Sequence, residues 1–261
     1  MGRGNPVNAS LIEVRREGAL THLRLARPDK GNSLSREMVQ QMASVVDACQ
    51  TDGTRGLLID AAGPNFCTGF DLSDLDIETD DTLLARFVRV ELLLQSVHRA
   101  PFLTAALAQG KTWGAGADLF AACQLRWAAP GTTFAFPGAA FGLVLGTGRL
   151  GALVGPAHAS DWILSGRQIG VEEAGATGLV QRYADAPQAR ALHDTVAQRL
   201  QRLDPETQAH VSAALQLRSL ADDAIDLNRL VQTAARPGLK ARIVAYRAAS
   251  RPPTWAARQS P

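Results

Sequence analysis

Two glycine-bearing loops hold the residues best placed to do chemistry. The first, Gly63-Pro-Asn-Phe-Cys-Thr-Gly-Phe-Asp-Leu72, follows the apolar run Gly56–Asp60. The second, Gln109-Gly-Lys-Thr-Trp-Gly-Ala-Gly-Ala-Asp118, follows Phe102–Leu107 and opens an Ala-rich helix to Cys123. A loop that feeds a helix N-terminus presents unpaired backbone N–H groups and a partial positive end. Such donors bind an anion, or a carbonyl oxygen that gains charge during reaction. The simpler reading is that the glycines only permit tight turns. Asp118 is a candidate acid or base if its carboxylate borders an apolar pocket, which would raise its pKa. Its structural alternative is a helix-start aspartate favoured by the helix dipole. Cys67 reads as a small apolar packing residue rather than a nucleophile, and His98 as a helix C-terminal cap. Arg86, Arg89 and Glu91 are candidate pocket residues whose alternative is a solvated helix face with i,i+3 or i,i+4 pairs. No GxxxxGK[ST] phosphate loop is present, and Gly114-Ala-Gly-Ala is a poor dinucleotide fingerprint.

Strands alternating with helices must position these loops. Leu11–Val14 and Leu20–Leu25 alternate apolar and polar residues across Arg16-Glu17-Gly18, the pattern of an edge hairpin. After the turn Arg27-Pro-Asp-Lys-Gly31, Ser35 is a suitable N-cap for a helix to about Cys49, with Met38, Met42, Val45 and Val46 on one face. Gly56–Asp60 and Phe102–Leu107 read as buried strands, with Leu125–Ala128 and Phe134 as further short ones. Between them, Leu83, Leu84, Phe87, Val88, Leu94 and Val97 have helical spacing up to Pro101. The result is an α/β fold with mostly parallel pairing. From Pro187 only helices are expected: Ala191–Leu203, Pro205–Leu220, Asp222–Ala235 and Leu239–Ala249. The shift places a boundary near residue 200, with a core over 1–200 and a helical region over 201–261.

The 261 residues are 46% hydrophobic and 20% charged, sufficient for a sizeable core. Lys plus Arg (27) nearly balance Asp plus Glu (25), and the basic residues form no block. Charge therefore points to neither nucleic acid nor an anionic membrane. Three scattered cysteines without a CxxC pair argue for a reducing compartment and against a disulfide framework or zinc site. Residues 1–18 lack the apolar stretch of a signal peptide, and no apolar run reaches membrane-spanning length. A cytoplasmic location is the expectation.

Six ordered segments resemble the crotonase family, the enoyl-CoA hydratases and isomerases. They are Arg27-Pro-Asp-Lys-Gly-Asn-Ser-Leu34, Asn65-Phe-Cys-Thr-Gly-Phe-Asp-Leu72, Pro101 with Ala105-Ala106, Trp113-Gly-Ala-Gly-Ala-Asp-Leu119, Phe136-Pro137 with Gly142, and Leu164-Ser-Gly-Arg-Gln-Ile169 with Glu172-Glu-Ala174 and Gly178-Leu-Val180. A looser echo lies in Ala245-Tyr-Arg and Arg251-Pro-Pro-Thr-Trp255. The resemblance implies a spiral of ββα units and C-terminal helices that build a trimer or a dimer of trimers. It implies an acyl-CoA thioester as ligand, with coenzyme A as part of the substrate and no separate cofactor or metal. The backbone amides of Phe70 and Ala115 would hold the thioester oxygen and stabilise an enolate, each donor worth about 3–4 kcal/mol. Lys30, Gly31 and Ser33 would lie near the nucleotide end. Thr68, Asp71 and Leu72 would frame the adenine and pantetheine; Trp113, Gly114, Pro137 and Gly138 are further substrate-binding candidates, with Trp113 and Phe141 read as pocket walls or core. For Lys30 and Arg27 the alternative is an ordinary solvated turn, and for Asp71 a structural acceptor for the turn that follows it.

Hydratases of this family use two glutamates. At the first position stands Asp118, shorter by about 1.5 Å. At the second stands Gly138, and Phe136–Arg149 contains no Asp, Glu or His. Adding water to a double bond needs a base for the water and an acid for carbon, so classical hydration is not expected. One base suffices for a proton shift along an enoyl chain, or for decarboxylation or hydrolysis of an acyl-CoA. A non-catalytic thioester-binding protein is the main alternative. RNA association, known in one branch of the family, finds no basic cluster here.

Overall fold

Nine strands in two sheets and ten helices are described in the computed structural model, which covers residues 10–183, 189–215 and 218–249. Strands β1 (Ile12–Glu17) and β2 (Leu20–Leu25) form the expected antiparallel hairpin. The turn falls on Gly18-Ala19, later than the Arg16–Gly18 expected, because the register pairs Glu17 with Leu20. Helix α1 (Arg36–Cys49) is capped by the Ser35 hydroxyl, which accepts from Met38 N at 3.2 Å. Its buried stripe is Met38, Val39, Met42, Val46 and Cys49, with Val45 only partly covered. Strand β3 (Gly56–Ala61) is buried throughout, as a central parallel strand must be. Helix α2 (Asp80–His98) starts with a Thr79–Thr82 capping box and buries Leu83, Phe87, Val90, Leu94 and Val97.

Strand β4 (Leu103–Ala108) leads directly into β5 (Lys111–Trp113), a short strand inside the stretch expected to be only loop. Helix α3 (Ala115–Ala122) follows and is buried at every residue. Next come β6 (Leu125–Ala128), β7 (Thr133–Ala135), a 3-10 turn (Pro137–Phe141), α4 (Thr147–Val154), α5 (Pro156–Ser165), β8 (Ile169–Gly170), α6 (Val171–Ala176) and β9 (Arg182–Tyr183). The larger sheet has the order β1-β2-β3-β4-β6-β9 and is parallel beyond the hairpin; the smaller is β5-β7-β8. From β4 the chain crosses to β5 of the small sheet and returns through α3 to β6, which is followed in the same way by β7. Isolated bridges between Cys67 and Thr112 and between Leu34 and Phe70 extend this stepping to the first loop. The arrangement matches a spiral of ββα units.

The C-terminal part is helical: α7 (Ala189–Arg202), α8 (Pro205–Ala214), α9 (Leu220–Ala234) and α10 (Leu239–Ala249). Helix α8 ends before the expected Leu220, since Ser219 caps a new helix by accepting from Asp222 N. Helix α7 lays Leu192, Val196 and Leu200 on Leu20, Leu58, Ala105 and Trp127 of the large sheet. Each such buried side chain contributes about 1.5–3 kcal/mol. Helices α9 and α10 fold back on α2, where Leu230, Ala234, Leu239 and Ile243 pack with Leu75, Leu83, Phe87 and Leu143. The echo at Arg251–Trp255 lies outside the described residues. Among those described, no helix is long and apolar enough to cross a membrane, and no His/Cys/Asp/Glu group could hold a metal ion.

Candidate active site

The two loops meet through backbone. Cys67 N donates to Lys111 O at 3.3 Å, and Trp113 N donates to Cys67 O at 2.9 Å. On its other edge the first loop is held by Leu34, whose N–H donates to Gly69 O (2.8 Å) and whose carbonyl accepts from Asp71 N (3.1 Å). In a parallel bridge of this kind the middle residue turns its own N–H to the opposite side. That residue is Phe70, and its opposite side is the second loop. Gly69 has φ +100°, and a Cβ there would lie 2.9 Å from Trp113 O and 3.5 Å from Ala115 N, so only glycine allows the approach. Ala115 is the first residue of α3, where an N–H has no intrahelical partner. Among the described residues, neither the Phe70 nor the Ala115 amide donates a hydrogen bond.

Both amides border a cavity of about 180 Å³. Of the expected site residues, Thr68, Phe70, Leu72, Trp113, Gly114, Ala115, Asp118, Pro137 and Gly138 line it; Lys30, Gly31, Ser33 and Asp71 do not. A larger cavity of about 750 Å³ lies between His98, β6, α7 and α8, but neither loop reaches it except through Ala121–Cys123 at the far end of α3. The chemistry-bearing loops therefore select the smaller one.

Asp118 is the single carboxylate lining the 180 Å³ cavity among the described residues. It is 6% exposed, and burial pushes its pKa up to about 8, against the opposing pull of Arg149. Its carboxylate packs on Gly146, where φ is +66° and a Cβ would come within 2.7 Å of Asp118 Cγ. Gly138 has room for a side chain: a Cβ would find only Leu143 O at 3.6 Å and Leu143 Cβ at 3.9 Å.

The α2 candidates are not solvated as their helix-face alternative holds. Arg86 and Glu91 are buried, and Arg89 alone is exposed. Arg86 donates to Glu78 Oε1 (2.7 Å) and to Asp71 O (2.8 Å), with its guanidinium 4.2 Å over the Phe70 ring. Glu91 takes two bonds from Arg149, Nη1 to Oε1 at 2.7 Å and Nη2 to Oε2 at 2.5 Å. These ion pairs sit behind the cavity wall rather than in it. A solvated turn also fails for Arg27, whose guanidinium pairs with Asp71 and donates to Ser33 O at 3.2 Å. Lys30 is exposed. Asp71 accepts from Ser73 N (2.8 Å) and Ser73 Oγ (2.7 Å); burial raises its pKa, but these bonds and Arg27 outweigh it and hold the carboxyl below its ordinary value. Burial pushes the Cys67 thiol up to about 12, which leaves it an inert packing group. His98 does not line the 180 Å³ cavity but the larger one; burial and then the Arg149 charge lower its pKa, and its Nε2 is buried without a partner. A cap would face the α2 terminus, where instead Arg99 N donates to Gln95 O.

Reasoning from sequence missed Tyr246 of α10, which lines the cavity and packs on Phe141 with centroids 5.1 Å apart. It also passed over Asn32, a buried residue at φ +53° whose Nδ2 donates to Ala62 O and Asn65 O, both 2.9 Å. Asn32 ties the first turn to the first loop. A left-handed Asn after Gly31 was the available signal.

Comparison with known proteins completes the description. The family pattern of Enoyl-CoA hydratase/isomerase matches residues 15–238. This chain belongs to the enoyl-CoA hydratase/isomerase family. A crystal structure described as an enoyl-CoA hydratase/isomerase from Bordetella parapertussis is 40% identical, covers 93% of this chain and 99% of that one, and superposes with a TM-score of 0.88. The cyclohexa-1,5-dienecarbonyl-CoA hydratase of Thauera aromatica is 31% identical over 69% of this chain and 70% of its own length. A probable enoyl-CoA hydratase of Mycobacterium tuberculosis is 28% identical over 78% of this chain and 82% of its own. The enzymes of this family share the spiral fold described above.

Proposed function

We propose that this family member moves a proton along an enoyl-CoA thioester with Asp118 as its one acid–base group. The observation that carries the reading is that a lone, desolvated carboxylate shares one cavity with two main-chain donors. The thioester oxygen sits at the Phe70 and Ala115 amides. The Asp118 carboxylate takes a proton from the saturated carbon next to the double bond, the γ-carbon of a 2-enoyl chain or the α-carbon of a 3-enoyl chain; the C–H electrons pass into the π system and onto the oxygen, giving a dienolate. The two N–H dipoles hold that charge at a site where they need no reorganisation. When the carbonyl re-forms, the double bond has shifted, and the same Asp118 returns its proton to the other end. Atoms and charge balance with no co-reactant.

Classical hydration needs a second group opposite Asp118, and Gly138 supplies none. Coenzyme A enters as part of the substrate. Thr68 and Leu72 are then its pantetheine contacts, Lys30 and the Gly31–Ser33 backbone its nucleotide contacts, and Asp71 with Arg27 fixes the shape of the loop between them. Exposed apolar residues on the C-terminal helices, Val211, Leu220 and Ile225 among them, are proposed as subunit contacts in a trimer, with a mass three times 27.7 kDa in sedimentation.

Deuterium exchange tests the mechanism. A bound enoyl- or acyl-CoA in D2O should gain deuterium at carbons conjugated with the thioester, and Asp118→Asn should abolish it. Bound thioesters that never exchange would leave a binding protein and refute the enzyme.

A further inference from the structure

Six of the chain's eight Phe, four Trp and two Tyr residues line the one 180 Å³ cavity: Phe70, Phe87, Trp113, Phe136, Phe141 and Tyr246. Resting on the thioester reading above, we propose that this site selects an uncharged, flat, ring-type acyl group of about six carbons over a longer linear chain.

Size comes first. A buried apolar cavity of about 150 Å³ accommodates one benzene. At about 180 Å³ the site holds a six-membered ring and its carbonyl, whereas a chain of eight or more carbons needs a wall to move.

The walls are braced against such movement. Phe70 stacks on Phe87 with centroids 4.1 Å apart and an interplanar angle of 20°. The Arg86 guanidinium lies 4.2 Å from the Phe70 centroid and is itself fixed by Glu78 and the Asp71 carbonyl. Tyr246 packs on Phe141, whose carbonyl accepts from Arg242 Nε at 3.1 Å. Rigid aromatic walls reward a planar guest, each ring pair adding about 2- to 12-fold in affinity beyond area burial.

Charge narrows the class further. Among the described residues the lining contains no Lys, Arg or His, and its one carboxylate is Asp118. A second carboxylate on the acyl group would therefore be buried unpaired beside another acid.

Calorimetric titration of the wild-type protein with non-reactive thioesters tests the proposal. The probes are benzoyl-, hexanoyl-, octanoyl-, dodecanoyl- and succinyl-CoA. Benzoyl-CoA should bind at least about fivefold tighter than octanoyl-CoA, with dodecanoyl- and succinyl-CoA weaker still. Phe87→Ala, or Phe87→Leu should the alanine variant fail to fold, should reverse the order of benzoyl- and octanoyl-CoA. Equal or tighter binding of octanoyl- or dodecanoyl-CoA by the wild type overturns the ring preference alone. Failure of every thioester to bind overturns the thioester reading and the preference with it.

Discussion

Replacing Asp118 by Asn removes one titrating group and keeps the shape of the protonated acid. The wild-type carboxyl titrates at 3.8 when solvated and at about 8 in the fold, mainly through desolvation. Between those values the native state holds a proton that the unfolded chain has released. Stability therefore falls as pH rises, by about 1.36 kcal/mol per unit for this single group. The stabilising protonated form is fully present below about pH 4, and its contribution is exhausted once pH passes about 8. Asn cannot ionise, so the stability of Asp118→Asn relative to wild type should grow across that window, reaching about 3 kcal/mol between pH 5 and 7. Across the whole window the upper bound is about 6 kcal/mol. Urea unfolding of both proteins at pH 5, 6, 7 and 8 measures the difference directly. Comparing the two proteins cancels every other titrating group. The same carboxyl acts as a base only when ionised, so proton-shift activity should rise with pH through about 8 and be absent from the Asn variant. Parallel stability curves for the two proteins would show that Asp118 is already ionised at neutral pH and would refute the argument from burial.

Three further single substitutions and one double change probe the site and the ion pair behind it. Gly138→Glu places a second carboxylate where a Cβ meets nothing closer than 3.6 Å, and it should raise hydration of a short enoyl-CoA by about 10²-fold, followed as loss of the conjugated thioester absorbance. Gly146→Ala drives a methyl group against the Asp118 carboxylate at a φ of +66°; proton-shift kcat should fall by about 10²-fold while the α-helical circular dichroism stays unchanged. Glu91→Gln leaves the buried Arg149 charge without its counterion and should cost about 3–5 kcal/mol in chemical denaturation, whereas Glu91→Leu combined with Arg149→Leu should cost less than the single change.

Much of this site was legible from residue order, and the physical reason is local. A Ser before an apolar stripe makes its own cap, so Ser35 announces α1. A glycine between a buried strand and a helix announces a close backbone approach, and Gly69 and Gly114 make one. Short strands are different. The three residues of β5 and the two each of β8 and β9 take their extended form from partners far away in sequence, and no window of that length has a readable period. Glu91 and Arg86 look like a wet helix face because charge is ordinarily exposed; only their partners on other elements, Arg149 and Glu78, make burial tolerable. Tyr246 was hidden for the same reason, its place depending on how α10 folds back over α2.

That return of α10 divides the labour of the molecule along its length. Arg247 donates to the Leu72 carbonyl across 175 residues of chain, and its neighbour Tyr246 lines the 180 Å³ cavity. Contacts of such long range form late, after local turns and helices are in place. The two glycine loops, joined over far shorter spans of chain, can therefore close while the cavity beside Tyr246 still stands open to water. Across descendants, drift in one distal helix can reshape the cavity without disturbing the backbone of the two loops.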